Sequence, residues 1–308
     1  SWMEVIFNPS FPYRLAHMLL ATFLSASLLF AGVNAYYLLK KQHLEFAKIG
    51  FSTAMMAILI LALVQILVGD FHGLNVAEKQ PVKLAAMEAI WETEKGAPLV
   101  LFAWPDEESE SNKFEVSIPN AASLLITHEM EGEISGLNEV EAKDRPPVPV
   151  VFYAFRIMLG LGGLMLLLGL AGLYARKKGT LYESKPLLLF SFAMIPAGVI
   201  ATLAGWYVVE VGRQPWLVQG LVRTVDVISP LPASSVAFTL ALFVVVYTTL
   251  FFTYLYFIRK LVLAGPAALE SLNQTDQDLP PTLNPAQVDI GYTQELASYY
   301  ETNRKGEE

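Results

Sequence analysis

Glu210 and Arg213 stand three residues apart where a long apolar run ends, and Trp206 and Trp216 flank them. Ionisable groups at the rim of a membrane span are costly, so this pair needs a reason. An interfacial anchor is one: tryptophan favours the headgroup region, and arginine snorkels to it. A simple pair across one helical turn is another.

His17 lies about five residues inside the first apolar run, roughly 8 Å deep at the helical rise. Met158 lies about nine residues inside the third run, roughly 14 Å deep from the same side. Imidazole and thioether form an axial pair for low-spin haem, the thioether raising the reduction potential. A methionine in a span is more often packing. A histidine there is harder to dismiss, because intramembrane polar groups tend to be functional. Arg156, two residues before Met158, needs a partner at that depth. Haem propionates would serve through bidentate hydrogen bonds, and snorkelling is the alternative. Lys83 and Glu88 are five apart, near one helix face but not ideally on it, so spacing alone favours a solvated amphipathic helix. His43, His72 and His128 fall in loops without a partner motif and are assigned no role.

Five apolar runs must position these residues, at about 13–39, 49–68, 149–175, 187–209 and 234–258. Their length suits a bilayer, and the backbone constraint in lipid makes them helices. The chain is therefore expected to be an all-α integral membrane protein of about five transmembrane helices with a long extracytoplasmic loop. The divisions are 1–69 with two spans, 70–147 as the loop, 148–264 with three spans, and 265–308 as a flexible cytoplasmic tail. Lys40, Lys41 and Lys48, then Arg176, Lys177, Lys178 and Lys185, then Arg259 and Lys260, all fall on one side, which the positive-inside rule makes cytoplasmic. In the loop, 83–92 has helical periodicity, and 99–119 alternates and reads as extended.

Composition agrees. Of 308 residues 54% are hydrophobic and only 16% charged, and the mean hydropathy is +0.44, values suited to a membrane protein. The absence of cysteine excludes disulfides, zinc–thiolate sites and iron–sulfur clusters within the chain. A net charge of −8 argues against a nucleic-acid partner. The chain opens on Ser1 without a signal peptide and is expected to be the later part of a longer protein or one product of a divided gene.

Five ordered words carry a resemblance. They are Asn8-Pro9 through His17 to Lys40, Val82 through Thr93, Asn112-Lys113-Phe114 with Ile118-Pro119, Phe155-Arg156-Ile157-Met158, and Gly205-Trp206 through Gly212-Arg213-Gln214-Pro215-Trp216. Together they resemble subunit I of the cytochrome bd quinol oxidases from its fifth span onward, with the compact form of the quinol loop. The resemblance implies that His17 and Met158 ligate low-spin haem b, with Arg156 beside it. It implies that Lys83 and Glu88 belong to the quinol site. It makes Glu210 a ligand to one of two oxygen-site haems, a high-spin haem b or haem d, with Trp206 and Arg213 in the same word. The implied activity is oxidation of quinol at the outer face and reduction of O2 to water with cytoplasmic protons, generating proton motive force. Subunit II and the family's first four spans, which carry the other oxygen-site histidine, are the implied partners, in a bacterial or archaeal cytoplasmic membrane among its lipids. The competing expectations are a subunit of a haem-b-only, cyanide-insensitive quinol oxidase, a haem-free membrane scaffold or transporter, and a fragment that binds the low-spin haem alone.

Overall fold

The computed structural model describes residues 2–266, so nearly all of the expected tail lies outside the described residues. By its contacts the chain divides into two units, Ser1–Thr249 and Leu250–Glu308. The first begins with a short helix, α1 (Trp2–Ile6), followed by two long ones, α2 (Phe11–Lys40) and α3 (Leu44–Lys79). Pro12 sits in the first turn of α2, where a missing N–H costs nothing. Lys41, in the left-handed region, closes α2, and His43 takes the same conformation immediately before α3.

The loop after α3 contains α4 (Pro81–Glu88), β1 (Glu94–Lys95), β2 (Leu99–Asp106), β3 (Ser111–Ile118), α5 (Ala121–Thr127) and β4 (Glu133–Ile134). β2 and β3 form an antiparallel hairpin with two register shifts, and β1 pairs with β4. The extended stretch expected over 99–119 is this hairpin. Beyond it come α6 (Val148–Lys177), α7 (Lys185–Ala193), α8 (Ala197–Val211), the small ladder of β5 (Trp216–Val218) with β6 (Val222–Arg223), and α9 (Ala233–Ala264). Among the described residues, five segments are long and apolar enough to cross a membrane: α2, α3, α6, α7 with α8, and α9. Among the described residues, strand is confined to the three two-stranded ladders.

Two spans depart from the sequence expectation. The second apolar run was expected to stop at Gly69-Asp70, yet α3 continues to Lys79. Leu74, Ala77, Glu78 and Lys79 keep good helix formers on the path, and the effective stop is Gln80 before Pro81. The fourth run is not one helix. It breaks at 194–196, between α7 and α8, where Pro196 has no N–H and its ring crowds the carbonyl four residues back.

Small residues set the packing of α2, α3, α6 and α8, since lipid offers no hydrophobic drive between helices and close backbone approach must supply contact. A Cβ at Gly169 of α6 would lie 2.8 Å from the Leu59 Cα of α3, and one at Gly172 would strike Met55. At the basic end of the same antiparallel pair, Arg176 donates to the Ser52 carbonyl at 2.6 Å. Gly198 of α8 rests on Ser25 of α2 in the same way. A second core lies on the loop side, where Val100, Leu137, Val151 and Phe152 are fully buried together.

Candidate functional site

α4 carries Lys83 and Glu88, and it is not a solvated helix. Both residues are buried, at 6% and 5% exposure, with Leu84, Ala85, Ala86 and Met87 between them. A helix apolar on every side is a buried one. Pro81 pre-sets its first turn, and Ala89, left-handed at φ 55°, ends it.

Glu88 at its end is held by Arg156 of α6, Nη2 to Oε2 2.6 Å. The same guanidinium donates from Nε to the Val100 carbonyl of β2 at 2.6 Å and lies 4.7 Å over the Phe152 ring. Its Nη1 is buried with no protein partner. Arg156 thus does not snorkel; its carboxylate partner comes from the protein, and one donor remains to be used.

Lys83 reaches the other way. Its Nζ donates to the Val209 carbonyl of α8 at 3.2 Å, and its stem fills the space left by Gly212. Burial above all, then the Arg14 and Arg213 charges, push the ammonium down to about 8, against an opposing pull from Glu210. Glu210 and Arg213 form the expected pair across one turn, 2.6 Å apart and half exposed. Trp206 is exposed with its ring edge against Tyr207. Past the cis Gln214–Pro215 bond, Trp216 stacks under Arg223, which is paired at 2.5 Å with Asp144.

His17 of α2 faces α3 at Gly69, where an added Cβ would lie 3.4 Å from its ring. Its Nδ1 is buried without a partner. His72, assigned to a loop by its sequence, is in α3, and its ring lies 5.7 Å from that of His17. The sequence signal that would have found it is continued helical spacing across Gly69-Asp70. Met158 packs its sulfur on Gly205 of α8, leaving 2.9 Å to an added Cβ. His17 and Met158 are therefore placed on the helix pairs α2–α3 and α6–α8, which contact each other through α3–α6 and α2–α8. His43, by contrast, packs on Tyr37 at the basic end of α2, and His128 caps α5 in the loop; neither joins the site.

These residues fit a haem. An imidazole with an unpartnered nitrogen and a thioether are donor types that suit an iron whose equatorial ligands arrive with it. Side-chain-free surface at Gly160, Gly162 and Gly163 of α6 and at Gly73 of α3 meets nothing within 4 Å.

A broken-helix bundle with a buried charged loop against one end defines a multi-pass helical membrane protein. The chain belongs to the family described as cytochrome bd terminal oxidase subunit I, which matches residues 1–266. It is 34% identical over 258 residues to cytochrome bd ubiquinol oxidase subunit 1 of Bacillus subtilis (strain 168), covering 80% of this chain and 55% of that protein. It is 27% identical to cytochrome bd-II ubiquinol oxidase subunit 1 of Escherichia coli (strain K12), covering 90% of this chain and 67% of that one. The solved bd oxidase of Geobacillus thermodenitrificans superposes with a TM-score of 0.75 at 30% identity, over 82% of this chain and 57% of that one. The chain thus spans little more than half the length of two of these three proteins.

Proposed function

We propose that this chain forms the electron-entry part of a membrane quinol oxidase, taking electrons from a quinol on the loop side. The observation that carries the reading is that α4 is wedged between two helices bearing candidate cofactor residues. Glu88 is gripped by Arg156, two residues from Met158, and Lys83 bonds the backbone beside Glu210.

In this reading His17 and Met158 hold a low-spin haem b, and Arg156 offers its unused Nη1 to a propionate or a quinol oxygen. Glu210, steadied by Arg213, would hold a high-spin haem b or haem d, with exposed Trp206 one turn before it available to the same group. When bound, these haems supply one-electron transfer and the reduction of O2. The protein's own work is binding and proton handling. Lys83, with its ammonium pushed down to about 8, takes or gives a proton near neutral pH. Glu88, held in place by Arg156, accepts a proton as a quinol hydroxyl loses electrons. Subunit II and further spans of subunit I complete the complex in a bacterial or archaeal cytoplasmic membrane.

The test uses the assembled complex. Lys83→Ala and Glu88→Ala should abolish quinol oxidation while artificial electron donors still drive O2 uptake. No loss with quinol overturns the assignment, and so does equal loss with both donors in a variant complex that assembles with its full pigment; equal loss without that pigment reports misfolding. Pigment extraction separates a complex with haem d from an all-b one.

A further inference from the structure

The β2–β3 hairpin leaves an apolar row uncovered. Phe102 and Val116 are cross-strand partners, 53% and 57% exposed, and Trp104 and Phe114 are 61% and 83% exposed. Uncovered apolar surface of this kind marks contact with something apolar.

The place of the hairpin tells what that is. β2 runs alongside the first turns of α6: Glu107 accepts the Val148 N–H at 2.8 Å, Tyr153 donates to the Ala103 carbonyl at 2.7 Å, and Arg156 donates to Val100. α6 ends at Arg176 and Lys177, which belong at the headgroups of the basic side. A hydrocarbon core of about 30 Å takes about 20 helical residues, and counting those back from Arg176 ends at Arg156. The headgroup layer beyond the core is about 5–8 Å thick, so residues of about 152–156, and the part of the strand against them, occupy the opposite headgroup layer. That layer is where tryptophan and other amphipathic rings collect. The row is also continuous with an exposed side of α6. The Trp104 ring meets that of Tyr153 at 6.3 Å, and Val150 and Ile157 on the same helix are exposed.

We propose that the β2–β3 hairpin is an interfacial anchor, which lays Phe102, Trp104, Phe114 and Val116 into the phospholipid headgroup layer on the loop side. Its attraction is apolar, not electrostatic. Three of the four carboxylates at its turn are directed to protein, Asp106 to Lys113, Glu107 to the α6 amide and Glu110 to Arg145, and the fourth, Glu108, is exposed. Neutral lipid suffices. The anchor also fixes the depth of α4, because Asn112 of β3 donates to the Ala89 carbonyl at 3.0 Å and accepts from the Trp91 indole at 2.9 Å.

The experiment places a photoreactive p-benzoylphenylalanine in the assembled complex, as Phe114→p-benzoylphenylalanine, in nanodiscs of phosphatidylcholine. Irradiation should attach phospholipid to the hairpin peptide, found by mass spectrometry, and should attach none in the Glu108→p-benzoylphenylalanine control at the turn. The same substitution at Phe102 serves if the Phe114 variant does not assemble. Cross-linking to another polypeptide of the complex overturns the proposal, and so does the absence of any lipid adduct at both hairpin positions.

Discussion

Arg156 and Glu88 lie 68 residues apart in sequence and close a 2.6 Å ion pair with both side chains nearly hidden from solvent. The pair joins a spanning helix to the loop helix that lies over its end. Breaking a buried pair from one side leaves an uncompensated charge, at a cost of about 3–5 kcal/mol. Arg156→Met and Glu88→Leu should each lower the melting temperature of the complex strongly. The double variant should recover most of the loss, since two apolar groups replace the pair without an orphan. Additive losses in the double variant would show that the two charges do not depend on each other.

Lys83 makes stability depend on pH in a definite direction. Its ordinary value is 10.5 and its folded value is about 8. Below pH 8 folded and unfolded chains both carry the proton, and the folded chain bears the full cost of the buried ammonium, roughly 3 kcal/mol. Between 8 and 10.5 the unfolded chain binds more protons, so stability rises with pH. Above 10.5 the cost is gone. Lys83→Met should raise the melting temperature at pH 7 and flatten the rise between pH 8 and 10. A variant that melts lower at pH 7 and keeps the slope contradicts the burial argument.

The proximity of His72 alters what the loss of His17 should do. Its ring is 5.7 Å from that of His17, so a substitute imidazole is at hand. Reduced-minus-oxidised spectra should show the low-spin signal weakened and shifted in His17→Ala, and absent in His17→Ala combined with His72→Ala. His72→Phe alone should keep it. Met158→Leu should lower the midpoint potential, because thioether ligation favours ferrous iron. A full signal with unchanged midpoint in the double histidine variant would remove His17 from the haem site.

Glu210 and Arg213 are half exposed, and a pair of that kind contributes about 0–1 kcal/mol to stability. Glu210→Gln should therefore leave the melting temperature nearly unchanged while it removes a high-spin haem signal and spares the low-spin one. Arg213→Lys should weaken the same signal, since an ammonium cannot replace a planar fork. If Glu210→Gln retains the whole high-spin signal, the interfacial-anchor reading of this pair is the right one.

The spans were legible in sequence because twenty apolar residues leave few alternatives. Their interruptions were not. Pro196 sat inside a continuous apolar run, and Gly69-Asp70 resembled a stop, yet the helix broke at the first and passed through the second. That misreading put His72 in a loop. The charged members of the site were legible as residues but not as partners. Spacing within one helix made Lys83 and Glu88 look solvated, whereas their surroundings come from α6, α8 and β2, far away in sequence. The buried state of α4 was readable in one respect: Leu84 to Met87 leaves it no polar face.

α3 has 36 residues, about 54 Å at the helical rise, and a single residue, Gln80, separates it from α4. Mechanically, this makes α4 the tip of a lever rather than a flap on a hinge. The fulcrum is the waist where Gly169 and Gly172 bring α6 onto α3. The short arm carries Ser52, gripped by Arg176, and the long arm ends at Lys79, one residue before α4. Displacement of α4 as a body therefore loads the end of a whole spanning helix and not a free loop.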